Sequence, residues 1–413
     1  MNVEDILVQE KLAYARVEAP CPYFGTCGGC TLQDLAYADQ LALKRARLQR
    51  AFTPLGDMPP IDLVGLDDPW RYRNKAEFTF GESDGRLVLG YHEARSFWRL
   101  VDLQDCLLLP EPATRLLNDV RGLAAQTGLP AYQPKTHQGF FRYLVVRSSR
   151  ATGQLLVCLI TTPIPNGSGS EAGGRVRELV EGLIRDVVAR HPSIVGFYWG
   201  RTARLADIAV PDELALVHGS PYLEETLGPF RLQLAPSSFL QPTGSQADRM
   251  YRRLCEALRD SPSGVAWDLY CGLGLVALYL AAQFRKIYGI DAEAHHLELA
   301  ARNASANGVT NIEFRAGRVE ALLADRRFWL QEAKPDAVVV DPPRAGLHPK
   351  ACASLVAARP SRIAYLSCNV HSLVRDLRVL LSSFPRYRLA FVQAFDMFPQ
   401  THHVEVLALL HRH

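Results

Sequence analysis

The sequence predicts an α/β protein in three parts: a doubly wound, Rossmann-like C-terminal domain, a β-rich central domain and an N-terminal segment built around cysteines. Three observations carry this reading. Beyond about residue 230, apolar strand-like runs alternate with helical stretches, the pattern of a parallel sheet covered by helices. Between about 70 and 225, short period-two runs separated by turn residues dominate. Cys21, Cys27 and Cys30 crowd into ten residues, a density that calls for a metal or a cluster. In a chain of 413 residues the expected parts are 1–60, 61–229 and 230–413.

The elements follow in order. After an extended lead-in over 1–20, a helix is expected over Gln33–Phe52, with Leu35, Leu41, Leu48 and Phe52 on one face and Lys44, Arg45, Arg47 and Arg50 elsewhere. Pro54, Pro59 and Pro60 end it. Strands at 76–80 and 86–91 flank Gly81-Glu82-Ser83-Asp84-Gly85, a hairpin signal. Further strands are expected at 141–148, 154–161 and 194–199, with helices at 110–126 and 174–190 and a low-complexity surface loop over 166–174. The last part reads as strands at 265–270, 286–291, 311–315, 336–341, 362–367, 387–394 and 403–410. Helices fill the gaps at 243–260, 274–283, 293–307, 348–358 and 370–383.

Composition narrows the class. Hydrophobic content of 48% and charged content of 22% are those of a globular protein, and no apolar run reaches membrane-spanning length. Met1-Asn2-Val3-Glu4-Asp5 has no signal-peptide character, so a cytoplasmic location without membrane contact is expected. A net charge of +3 does not by itself argue for nucleic acid. Nine cysteines, an odd number, argue against a disulfide framework. A monomer is expected.

The chemistry sits at predicted strand ends. Val265-Ala266-Trp267-Asp268-Leu269-Tyr270 reads as a buried strand, and Cys271-Gly272-Leu273-Gly274 as a tight turn where glycine lets the backbone approach a ligand. Asp291 closes the next strand, placed to accept ribose hydroxyls. Spacing alone leaves a dinucleotide open, but the missing third glycine and the Asp-Leu-Tyr-Cys lead-in favour S-adenosylmethionine, with Tyr270, Gly272 and Gly274 at the site. Cys158, Cys255, Cys271 and Cys352 read as inert thiols. Cys368 differs because it lies just past a strand, where a helix starting near Val370 would lower its pKa. Asp341-Pro342-Pro343-Arg344 presents a carboxylate in a rigid loop at the same edge. Gln241 and Glu405 complete the set. His402 and His403 lack a carboxylate partner at helical spacing, so they do not read as a metal pair. Cys-x5-Cys-x2-Cys suits either zinc or an iron–sulfur cluster.

Taken together, Cys21-Pro22-Tyr23-Phe24-Gly25-Thr26-Cys27-Gly28-Gly29-Cys30, Tyr72-Arg73-Asn74-Lys75-Ala76, Asp268-Leu269-Tyr270-Cys271-Gly272, Asp341-Pro342-Pro343-Arg344-Ala345-Gly346-Leu347, Ser367-Cys368-Asn369 and Asp396-Met397-Phe398-Pro399 resemble the S-adenosylmethionine-dependent RNA uracil-5-methyltransferases, especially the bacterial 23S rRNA branch. The resemblance implies Cys368 as nucleophile and Glu405 as proton acceptor. It implies that Gln241, Tyr270, Asp291 and Asp341 line the cofactor and substrate pocket. It also implies a [4Fe-4S] cluster on Cys21, Cys27, Cys30 and Cys106, and an RNA partner. Leu275, Arg318 and Pro242-Thr243 depart from the family pattern, and the amino-terminal barrel of many relatives is expected to be missing. Arg71, Tyr72, Arg73, Lys75, Phe141, Arg142 and Tyr143 are either an RNA grip or ordinary strand packing. The alternatives are a tRNA T-loop uridine methyltransferase, an RNA-binding relative that has lost catalysis, and a cytosine C5 methyltransferase.

Overall fold

A computed structural model describes residues 14–56, 61–164, 170–260, 264–325, 327, 334–384 and 386–413. Strand β1 (Asp62–Val64) is followed by a central sheet of β2 (Lys75–Ser83), β3 (Arg86–His92), β4 (Leu100–Asp102), β5 (Phe141–Ser148), β6 (Leu155–Thr161), β7 (Ile194–Arg201) and β8 (Glu213–Gly219). Its order is β4-β3-β2-β5-β6-β7-β8. Strands β6 and β7 pair in parallel and are bridged by helix Glu171–Arg190, as a parallel pair requires a crossover. That helix and helix Glu111–Gln126 cover one face, packing Leu116, Leu117, Val120, Val180 and Leu183 against Phe78, Phe80, Leu144, Val146 and Leu159. The other face puts Tyr143, Val145, Leu156, Cys158 and Ile160 into a core shared with the hairpin β9 (Leu223–Leu227) and β10 (Phe230–Leu234) and helix Gly244–Leu258. Strands β5 and β6 are therefore buried on both faces, which is why they read as near-continuous apolar runs.

The C-terminal sheet contains β11 (Val265–Leu269), β12 (Lys286–Asp291), β13 (Ile312–Ala316), β14 (Ala337–Val340), β15 (Arg362–Ser367), β16 (Tyr387–Phe395) and β17 (Glu405–Arg412). With β1 at its edge the order is β1-β16-β17-β15-β14-β11-β12-β13. Strands β11 to β15 pair in parallel, while β17 inserts antiparallel between β15 and β16. The order reverses beside β11, with β12 on one side and β14 on the other. This is the switch point where a doubly wound sheet opens a crevice at its carboxyl edge.

Every strand and helix expected after residue 264 is present, with shifts of a few residues at its ends. Strands β1, β4, β8, β9 and β10 had no sequence signal strong enough to read. β8 is exposed along its whole length, so no alternation marks it. The first helix begins at Tyr37 rather than Gln33, because Leu32 and Leu35 are buried in a turn before it. Residues 1–13, Pro59, Pro60 and 165–169 lie outside the described residues. The end of the expected 166–174 loop is helical from Glu171, where Ser170 accepts a capping bond from Gly173 N at 3.0 Å.

Helix Tyr37–Phe52 is riveted to the C-terminal sheet by polar groups. Lys44 Nζ lies 2.6 Å from Asp396 Oδ1 with both side chains fully buried, and Tyr37 Oη donates to Asp396 Oδ2 at 2.9 Å. Replacing Lys44 by Met leaves a buried carboxylate unpaired, and should destabilise the protein by about 3–5 kcal/mol in denaturant unfolding. The double variant Lys44→Met/Asp396→Leu should recover part of that loss.

Candidate active site

The turn after β11 is left-handed at Tyr270 (φ 64°), Gly272 (φ 49°) and Gly274 (φ 71°). At Gly274 a Cβ would sit 2.7 Å from the Phe314 ring, so only glycine lets helix Leu275–Leu280 start against β13. Gly272 has nothing within 4 Å of its Cβ direction, leaving its backbone open to a ligand. Asp291 braces this turn: Oδ2 accepts from Gly272 N at 2.9 Å and Oδ1 from Glu293 N at 3.0 Å. Each oxygen keeps a lone pair for a further donor. Leu275 is buried in the core, and Arg318 Nε donates to Glu320 Oε1 at 2.7 Å.

Beneath the turn, Asp268 is fully buried, and Oδ2 accepts from Ala277 N at 3.0 Å. Its Oδ1 has no hydrogen-bond partner. Burial pushes its pKa up to about 8, and the Asp341 and Asp291 charges add to the shift. Asp341 leaves β14 with its amide donating to Leu269 O at 3.2 Å, and Glu405 opens β17, buried. Burial raises both carboxyl groups, and the Asp341 charge raises Glu405 further. The phenol of Tyr251, buried on helix Gly244–Leu258, is pushed up by burial and then by the charges of Asp341, Glu405 and Asp268. Tyr251 thus stands among three carboxylates. Nothing local in the sequence distinguishes it from an ordinary core aromatic, so it carries no signal there.

Cys368 is half-buried in a turn held by its neighbours. Asn369 N donates to Ser367 Oγ at 3.1 Å, and Asn369 Nδ2 to Arg344 O at 2.9 Å, tying this loop to the Asp341–Arg344 loop. Burial raises the thiol pKa, the Glu405 and Asp341 charges raise it further, and Arg344 pulls it back by charge and a hydrogen bond. The expectation of a lowered thiol pKa is therefore corrected. The helix amide that would have lowered it, His371 N, is taken by Asn369 Oδ1 at 3.1 Å, and the local field is negative.

Cys368, Asp341 and Glu405 converge. Tyr270, Gly272, Gly274 and Asp291 lie along the adjoining strand end. Gln241 is buried in the loop before helix Gly244–Leu258, where its backbone oxygen accepts from Asn74 Nδ2 at 2.8 Å. Of the suggested RNA grip, Tyr72, Phe141, Arg142 and Tyr143 are buried. Tyr72 Oη donates to Pro399 O at 3.0 Å, and Arg71 forms a two-bond pair with Asp105. Packing accounts for the four buried side chains, while Arg71, Arg73 and Lys75, the rest of the set, are partly exposed.

Cys21, Cys27, Cys30 and Cys106 line one small pocket together with Arg73 and Tyr91. Among the described residues no three Cys, His, Asp or Glu side chains lie close enough to hold a metal ion as placed. All nine cysteines are free. Burial pushes Cys30 up to about 12 and also raises Cys27 and Cys106, while the Arg73 charge lowers the latter two. Next to this pocket lies a cleft of about 820 Å³ whose walls include Arg47, Arg95, Arg344, Phe398, His402 and His403. Burial drops His403 to about 4, so it is neutral at pH 7.

The sequence profile described as tRNA (Uracil-5-)-methyltransferase matches residues 220–413. An uncharacterized RNA methyltransferase of Caldanaerobacter subterraneus is 35% identical over 400 residues, covering 96% of this chain and 85% of that protein. Another from Halalkalibacterium halodurans is 32% identical over 398 residues, covering 96% and 83%. The crystal structure of Pyrococcus abyssi tRNA (uracil-54, C5)-methyltransferase in complex with S-adenosyl-L-homocysteine superposes with a TM-score of 0.74 at 26% identity, over 92% of this chain and 85% of that one.

The raised carboxyl groups set a pH dependence. A carboxyl whose folded pKa lies above its unfolded value holds its proton in the native state, so stability is greatest below the unfolded pKa and falls as pH rises through the folded one. For Asp268 the window runs from about 4 to about 8, with a slope of about 1.4 kcal/mol per pH unit. Unfolding curves collected across that window should flatten in Asp268→Asn. An unchanged slope would contradict the assignment.

Proposed function

The chain belongs to the RNA uracil-5-methyltransferase family, and from that premise we propose that it methylates C5 of a uridine in RNA, with 23S rRNA as the substrate, through a bond between Cys368 Sγ and C6 of the ring. The observation that carries this reading is the meeting of a thiol, two desolvated carboxyl groups and Arg344 at the switch-point edge. S-adenosylmethionine, held by the Tyr270–Gly274 turn and Asp291, supplies a methyl group on a cationic sulfur that C5 of the activated ring can attack.

The residues do the rest. Carbon 5 of uracil is a poor nucleophile until a thiolate adds at C6 and turns the ring into an enolate. Cys368, whose thiol is the resting form, gives its proton to solvent water as its sulfur adds to C6, and Arg344 beside it stabilises the sulfur as charge develops. Asp341 is placed to engage the N3 edge of the base. After methyl transfer Glu405 removes the C5 proton, the C5–H electron pair restores the ring double bond, and Cys368 leaves as thiolate. Burial raises the Glu405 pKa and so favours its protonated form, and a bound cation shifts it toward the carboxylate that this step needs. The target base must leave its stack, which costs less in a single-stranded loop.

The four thiols and the Arg73 guanidinium around one pocket suit a [4Fe-4S] cluster on Cys21, Cys27, Cys30 and Cys106. When bound, such a cluster cross-links the N-terminal segment to Cys106. Its role is structural, and no catalytic step runs through it. Zinc suits the same thiols, so iron and acid-labile sulfide should be measured on protein purified without oxygen. Cys106→Ser should lose both.

A second reading, a tRNA substrate, is favoured by the likeness to the Pyrococcus abyssi enzyme. Mapping 5-methyluridine in rRNA and tRNA of a deletion strain against its parent separates the two. In either case Cys368→Ala should abolish methyl transfer while retaining affinity for S-adenosylmethionine. Glu405→Gln should slow tritium release from 5-tritiated uridine in RNA by about 10²–10⁴-fold.

A further inference from the structure

Phe97 and Trp98, at the tip of the turn between β3 and β4, are 80% and 58% exposed, an unusual pairing of large aromatics for a solvent-facing loop. The turn is built to hold them there. Glu93 N donates to Arg99 O at 2.9 Å, and Ser96 Oγ accepts from Trp98 N at 3.2 Å and Arg99 N at 3.0 Å. Arg99 Nε closes the loop on Glu93 Oε2 at 2.8 Å. Its base is pinned to the cysteine segment, where Gly28 N donates to His92 O and Ala94 N to Thr26 O. The aromatic tip is therefore rigid, and little conformational freedom is lost when something stacks on it.

What surrounds the tip selects the occupant. Lys135 Nζ stands 5.2 Å from the centroid of the Trp98 ring. Arg95, the adjoining residue with φ 63°, lines the large cleft together with Arg47 and Arg344. That cleft runs to the loop carrying His402 and His403, and Arg344 touches Cys368. Exposed aromatic faces beside a run of basic side chains form the arrangement that binds unpaired bases on the aromatics and their phosphates on the cations.

We propose that the Glu93–Arg99 turn is a stacking platform for unpaired RNA bases next to the target uridine, with Phe97 and Trp98 carrying the bases and Arg95 and Lys135 the backbone. The proposal rests on the RNA-methylation reading and adds a surface outside the thiol site. It assigns this surface to RNA rather than to a second copy of the chain, because basic side chains and the catalytic cleft adjoin it.

The test measures binding of a short fluorescein-labelled oligouridylate to the full-length protein by anisotropy, in wild type and in Phe97→Ala/Trp98→Ala. The double variant should weaken binding on the order of tenfold or more, since each stacked base contributes roughly 1–3 kcal/mol. The salt slope should be unchanged, because no phosphate contact is lost. Phe97→Tyr/Trp98→Phe should restore affinity, and both variants should bind S-adenosylmethionine like wild type. Wild-type affinity in the double alanine variant overturns the platform and leaves the methylation reading intact. Failure of the wild type to bind any RNA overturns both. Concentration-dependent dimers in sedimentation velocity that vanish in the double alanine variant would assign the patch to self-association and overturn the proposal.

Discussion

Carboxyl groups taken out of water at the carboxyl edge of the C-terminal sheet govern the candidate site. Asp268, Asp341 and Glu405 are brought out of water around Tyr251 and Cys368, and burial raises all three. Desolvated carboxyl groups stay neutral unless a cation joins them, and such an arrangement is costly to keep in an empty protein. In the proposed reaction a cationic methyl donor relieves that cost on binding and favours the carboxylate form of Glu405. Burial first, and then the charges of Glu405 and Asp341, favour the thiol form of Cys368.

The loop leading into Glu405 is held from several sides. Asp396 is bound by Lys44 and Tyr37, and Thr243 Oγ donates to Met397 O at 2.9 Å. Pro399 O accepts from Tyr72 Oη, and Gln400 O accepts from Thr31 N and Leu32 N at 2.9 and 3.0 Å. Gln400 takes a left-handed φ of 67° and bonds Gln40 through both backbone and side chain. The donors come from the cysteine segment, the first helix, the strand lead-in before β2 and the loop before helix Gly244–Leu258. The Asp396-Met397-Phe398-Pro399 motif is thus the place where separate stretches of chain meet, in the loop that leads to the residue assigned to proton removal.

Much of this was legible in the sequence for a physical reason. Strands β11, β12, β14 and β15 are mostly buried apolar runs separated by helices, and local pattern defines both. The Gly272–Gly274 turn and the loops bearing Asp341 and Cys368 announce themselves by position at strand ends. What was not legible depends on long-range contact. Tyr251 looks like any core aromatic, and its field comes from residues far along the chain. The pairing of Lys44 with Asp396 spans 352 positions, and nothing near Lys44 separates it from the solvated arginines beside it. The buried fate of Phe141, Arg142 and Tyr143 follows from a second layer covering the central sheet, which periodicity cannot report. The direction of the Cys368 shift was misjudged because helix start and sulfur were considered without Asn369 and the two carboxylates.

The central claim is that Cys368 becomes a nucleophile toward a pyrimidine only when a cationic donor occupies the charged pocket beside it. RNA carrying 5-fluorouridine at the target position cannot lose the C5 substituent as a proton, so the covalent species should persist. Incubated with protein, it should yield an adduct stable to denaturation, mapped by mass spectrometry to the Cys368 peptide, with S-adenosylmethionine and not with S-adenosylhomocysteine. An adduct on another cysteine, equal yield with both ligands, or no adduct at all would contradict the account.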